Sequence, residues 1–175
     1  MTFALEDTVA TLASVTNRVE KHGAEDVPAI SLRLKITAAN TILDKLSATM
    51  RSTLYTKPDG QNELPGIEEC TPLLRTLGID HLVFTSTLNG WNLMIDHGID
   101  GISVCGACKV DEFKVAPKQG GTVELSFRVG TSDVEPEGAG LLWAKNGQEV
   151  IITLTPPDKP LNTDVDNDDE DRDET

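Results

Sequence analysis

The sequence predicts a mainly β fold, an antiparallel β-sandwich or barrel of about seven strands with one amphipathic helix and a disordered acidic C-terminal tail. Three observations predict it. Several short segments alternate strictly between apolar and polar residues, the pattern of strands with one buried face. Turn-forming pairs rich in Asn, Gly and Pro separate them. Only one stretch shows helical spacing. The chain has 175 residues, 38% of them hydrophobic and 25% charged, which suits a single globular core. Residues 1–160 are expected to form that domain and 161–175 the tail.

The clearest strand is Ile30 to Thr37. Ile30, Leu32, Leu34 and Ile36 share one face, and Ser31, Arg33, Lys35 and Thr37 share the other. Pro28 suits its start. An earlier strand is expected over Val9 to Val19, with a polar turn from Lys21 to Asp26 between the two. The period then changes. From Thr41 to Leu54 apolar residues fall three and four apart, which predicts an amphipathic helix opened by a capping-box variant of Thr41 and Asp44. Pro58, Gly60, Pro65 and Gly66 mark a loop after it.

The second half reads as antiparallel sheet. Asn89-Gly90 separates Asp80–Leu88 from Trp91–Ile95, and Asn-Gly tolerates the positive φ of a type I′ hairpin turn. A second pair, Asn146-Gly147, predicts a hairpin between Leu141–Ala144 and Val150–Leu154. Between them, Lys109–Val115 and Thr122–Val129 are joined across Pro117 to Gly121, and Val123, Leu125, Phe127 and Val129 alternate with Glu124, Ser126 and Arg128. Pro156, Pro157 and Pro160 end the sheet.

The formal net charge is −14. Between Asp164 and Thr175 eight acids stand against Arg172 alone, a net of −7, and the rest of the chain, with 21 acids and 14 bases, carries the other −7. Such a tail repels itself and has almost nothing apolar to bury, so disorder from about Asn162 is expected. Its spacing of Asp164, Asp166 and Asp168 opens like an EF-hand loop. That loop needs Gly sixth and Glu twelfth, where this chain has Asp169 and Thr175.

No bilayer-spanning apolar run and no secretory pattern is visible, and three cysteines do not make a disulfide framework. A soluble, cytoplasmic protein is the expectation. Cys105-Gly-Ala-Cys108 lacks the second ligand pair of a zinc site, and Asp96 and His97 are sequence neighbours that point apart in an extended chain. Nucleophile-elbow, phosphate-loop and zinc-protease motifs are missing. A non-enzymatic binding protein without cofactor or metal is expected.

Two blocks carry a resemblance. Arg18 to Ala29, followed by the alternating strand, and Cys108 to Phe113 with Gly120 to Val129 resemble a group of small tailed-bacteriophage proteins, over roughly residues 15 to 155. The resemblance implies a phage gene product at work in the host cytoplasm, outside the virion. The tail is similar to those of phage and bacterial single-stranded-DNA-binding proteins, although Asp173-Glu174-Thr175 lacks their terminal aromatic.

Single-strand binding needs a basic groove and stacking platforms. Arg18, Lys21, Arg33, Lys35, Lys114 and Arg128 are the candidate cations. Trp91 is the candidate platform, with Tyr55 and Trp143 as further aromatics. In the tail, Asp164, Asp166, Asp168, Asp169, Glu170, Asp171, Asp173 and Glu174 are candidates for regulating that face and recruiting a basic host or phage protein. Two other classes compete: an acidic inhibitor that imitates DNA phosphates to block a host DNA-binding nuclease or defence complex, and a virion subunit that self-associates through strand edges.

Overall fold

The alternating segments become the staves of a closed barrel. A computed structural model of the chain describes residues 3–57, 72–75 and 80–157. Cys70, the loop expected over 58–66 and the acidic tail with all its candidate residues lie outside those described. The strands are β1 (Leu5–His22), β2 (Glu25–Ala39), β3 (Tyr55–Thr56), β4 (Leu73–Leu74), β5 (Leu82–Phe84), β6 (Leu88–Asp96), β7 (Ile102–Pro117), β8 (Thr122–Thr131), β9 (Asp133–Val134) and β10 (Glu149–Thr155). Six of them close an antiparallel ring in the order β7-β6-β10-β1-β2-β8, with β8 pairing back onto β7. β5 prolongs β6 along one edge of β7, and β9 prolongs β8 along the other. β3 and β4 form a separate two-stranded piece.

Alternation fills the interior as expected. Ile30, Leu32, Leu34 and Ile36 from β2 and Val123, Leu125, Phe127 and Val129 from β8 are all buried. Phe3, Phe113 and Phe127 meet at its centre, with ring centroids 5.1 to 5.8 Å apart. Phe3 stands edge-on to the other two, the arrangement that aromatic quadrupoles favour.

Among the described residues three non-glycine residues adopt positive φ: Asp7 (40°), Ala107 (45°) and Glu112 (53°). Each sits where the pairing register slips, in β1 against β10, in β7 against β6 and in β7 against β8. These are β-bulges, which add one residue to one strand and sharpen the twist a small barrel needs. Left-handed backbone at a residue with a side chain costs roughly 1–2 kcal/mol, so the ring outweighs that strain three times.

Several expectations are corrected. The stretch Thr41 to Leu54 is not one helix but α1 (Leu43–Leu46) and α2 (Met50–Leu54), preceded by a 3-10 turn at Asn40–Ile42. Ser47 is extended, and the hydroxyls of Ser52 and Thr53 donate to the Thr49 carbonyl. Hydroxyls that bond nearby backbone compete with the helix. The apolar spacing still does its work, because Ile42, Leu43, Leu46 and Leu54 all point into the core. The Thr41–Asp44 cap does not form; Asp44 accepts from Arg51 instead.

Asn89-Gly90 is not a hairpin turn. Both residues lie inside β6, where Gly90 has φ 74° and the register against β7 slips between Leu88 and Trp91. Positive φ was needed there, but for an irregularity within a strand. Leu141–Ala144 is not a strand either. It ends α3 (Pro136–Ala144), a helix with proline in its first turn that buries Leu142. Asn146-Gly147 therefore joins a helix to β10.

The β1–β2 turn is tighter than expected, with Gly23 at φ 69°. Pairing of β2 to β8 begins only at Ile30, so residues 18–29 form a two-stranded arm.

Candidate nucleic-acid interface

The outer face of β1, β2, β8 and β7 collects cations that are far apart in sequence. Register decides which. Arg33 stands opposite Arg128, which stands opposite Asp111, and one row along Lys35 stands opposite Ser126, which stands opposite Lys114. Arg18 reaches the same face, because a β-carbon at Gly130 would collide with its guanidinium. Glycine there leaves a bed for the Arg18 side chain. Lys109 is opposite Gly130 and adds a sixth cation that sequence reading missed. Lys21 is not part of the cluster; it pairs with Asp26 at 3.9 Å near the end of the arm.

Two arginines placed opposite each other repel. The bulge at Glu112 offsets this by turning two consecutive carboxylates, Asp111 and Glu112, toward the same outer face. Arg128 Nε and Nη2 donate to the two oxygens of Asp111 at 2.8 and 2.9 Å, a bidentate fork. Its Nη1 lies 2.9 Å from Glu112 Oε1, while Arg33 Nη2 meets Glu112 Oε2 and Lys109 meets Asp111 at 3.3 Å. The Arg128 hydrogen bonds hold the Asp111 carboxyl below its ordinary range against the effect of burial. Asp111 in turn raises the Arg128 guanidinium, so the pair stays ionised.

Arg18 pairs with Glu20. Among the described residues Lys35 and Lys114 have no carboxylate partner. The face thus carries six cations and three acids on a chain whose net charge is −14.

No family model, curated protein or solved structure matches this chain. The functional reading rests on what the geometry brings together.

Trp91 needs correcting as a stacking platform. It is only 7% exposed and belongs to the core, because the strand irregularity at Asn89-Gly90 turns it inward. Tyr55 is also buried, its hydroxyl accepting from Lys118 N–H and lying 2.9 Å from the Lys118 and Thr122 carbonyls. Trp143 is exposed, but on α3. Phe84, next to the outward-facing Val83, is half-buried and packed against the core. It lines an open cleft of about 430 Å³ with Arg33, Val83, Thr85, Asp111, Glu112 and Lys114. Alternation within β5 hinted at nothing here, since three residues are too few to show a period.

The other chemistry-bearing residues sit elsewhere. Cys105 and Cys108 flank the Ala107 bulge inside the barrel, and burial pushes their thiols up to about 12 and about 11. A thiol is a nucleophile or metal ligand as its thiolate, so neither is poised for such chemistry at neutral pH. Among the described residues no cluster of His, Cys, Asp and Glu is arranged to hold a metal, and no helix is long and apolar enough to cross a membrane.

His97 follows β6 and is buried. Ser103 donates its one hydroxyl hydrogen to the Gly138 carbonyl at 3.1 Å, so His97 Nε2, 2.8 Å from Ser103 Oγ, is the donor in that contact. The chain of bonds fastens α3 to β7 and leaves Nδ1 buried without a partner. Burial, and secondarily Lys145, lower His97 below its ordinary 6.5, against the pull of Asp96 and Asp100. The unfolded chain therefore binds a proton that the folded chain resists, and stability falls as pH drops below about 6.5. Thermal melts are expected to show Tm declining from pH 6.5 toward 5, with His97→Gln flattening that segment. An unchanged slope in the variant would show that other groups set it. The paired carboxylates of Asp100 and Asp111 titrate below 3.8 and do not intrude on this window.

Proposed function

We propose that this chain is a non-enzymatic, phage-encoded accessory of DNA metabolism that binds the phosphate backbone of single-stranded DNA on the outer face of β1, β2, β8 and β7. One observation carries the reading: Arg18, Arg33, Lys35, Lys109, Lys114 and Arg128 converge on one face of an otherwise acidic chain. Four strands at about 4.8 Å spacing give that face a width of roughly 15 Å. Affinity on such a face comes from counterion release and is salt-dependent.

The acidic segment from Asp164 to Glu174 competes with DNA for the same cations. It carries a net −7 and follows β10 by fewer than ten residues. Fluorescence anisotropy with a labelled oligonucleotide tests both statements. Removing residues 162–175 is expected to tighten binding about tenfold at low salt, or roughly 1.4 kcal/mol. A truncated protein that fails to bind single-stranded DNA at low salt overturns the reading.

A second reading is favoured by the carboxylates that already hold four of the six cations. In it the chain is an acidic inhibitor of a basic DNA-binding protein, and neither form binds DNA while a basic partner co-purifies.

A further inference from the structure

The side of the barrel centred on β6 and β10, which shares β1 and β7 with the basic face, is apolar where a solvated sheet would be polar. On β7, β6, β10 and β1 the outward positions form two cross-strand rows. Ile102, Asp96, Ile151 and Val9 make one, and Val104, Met94 and Thr153 make the other. The five apolar members are 38% to 61% exposed. Beside them, at the β6–β7 turn, Ile99 is fully exposed between Gly98 and Gly101, both at positive φ. Single exposed apolar residues are ordinary; a contiguous set of this size equals the largest patch of a typical monomer, which is often functional.

We infer that this face is where a second copy of the chain docks, giving a symmetric dimer. The area supports a copy as occupant. The five side chains present on the order of 450 Å² of apolar surface, at roughly 90 Å² each. A stable interface buries about 800 Å² per partner, of which about 65%, or roughly 500 Å², is apolar in homodimers. The face supplies an apolar centre of that size, and Ile99 extends it at one margin. Two sheet faces pack in this way at a spacing of about 10 Å. Within the ring each strand is paired on both sides, which directs association there to a face, while free strand edges are left on the β1–β2 arm.

Two acids touch the rows: Asp7 of β1 bonds Thr153 at the end of the second, and Asp96 lies within the first. Asp96 Oδ1 accepts the Gly98 N–H at 2.7 Å, which ties the carboxylate to the turn. In the ring order, β6 lies across from β2 and β10 across from β8. A dimer through β6 and β10 therefore leaves two basic faces pointing outward.

Sedimentation velocity of the full chain from 5 to 100 µM tests this, independently of any DNA binding. The wild type is expected to sediment at twice its 18.9 kDa. The double variant Val104→Lys/Ile151→Lys and, separately, Ile102→Asp are expected to be monomers with unchanged circular dichroism, since all three side chains face outward. A wild type that stays monomeric at 100 µM assigns the face to a foreign partner and overturns the proposal. So does a dimer that survives in both variants.

Discussion

Replacing Phe127 with alanine is expected to destabilise the barrel by about 3–5 kcal/mol, as a shift in the urea midpoint with little change in slope. Phe127 is fully buried and touches both partners of the aromatic cluster, at 5.3 Å from Phe3 and 5.8 Å from Phe113. Truncation removes its transfer free energy and opens a cavity that a closed ring collapses poorly. Strands in a barrel are held at both edges and cannot slide inward independently. Phe127→Leu is expected to recover more than half of the loss, because volume matters more here than aromaticity. A loss below 1 kcal/mol in the alanine variant would mean the cluster is not the centre of the core. The expected loss of about 3–5 kcal/mol is a large fraction of the roughly 5–15 kcal/mol typical of a domain.

How far the fold was legible can be judged strand by strand. β2 and β8 were readable in kind and in which residues face inward, since each alternates without interruption; their pairing and register were not. β6 and β7 were readable only in part. The bulges of β7 at Ala107 and Glu112 place non-glycine residues at positive φ, which alternation and turn chemistry do not forecast. Asn89-Gly90 misled for the same reason: the pair reports positive φ, and that occurs in a bulge as well as in a turn. Helix α3 was missed because Leu141, Leu142, Trp143 and Ala144 form a short apolar run, which periodicity alone does not assign to helix or strand.

The site followed the same division. Arg33, Lys35 and Arg128 were placed correctly on wet faces because their strands alternate cleanly. Their convergence with Arg18 and Lys114 depends on pairing between distant segments. No local pattern shows that Gly130 makes room for Arg18, or that Asp111 and Glu112 answer two facing arginines. Trp91 was misread because an aromatic beside Asn-Gly looks exposed in a hairpin and is buried in a bulged strand.

On the reading of the basic face as a single-strand site, Lys35→Glu/Lys114→Glu is expected to weaken DNA binding about 30- to 100-fold at 50 mM salt. The same variant is expected to flatten the dependence of log K on log salt by about 1.4, which is two phosphate contacts at roughly 0.7 each. These two lysines give the cleanest test for a physical reason. Arg33 and Arg128 share Glu112, and Arg128 also holds Asp111, so removing either breaks part of that network and mixes a stability loss into any change of affinity. Lys35 and Lys114 have no such partner among the described residues, and both are exposed on either side of Ser126. Reversing them changes the face by four charges, from three positive to one negative, and leaves the Asp111–Arg128 network intact. Circular dichroism and Tm are expected to stay close to wild type. The salt slope separates this mechanism from a general electrostatic penalty. Distant charge reversals shift affinity but do not remove phosphate contacts, so they leave the slope nearly unchanged. Affinity and slope both equal to wild type in the folded variant would place any DNA contact elsewhere on the barrel.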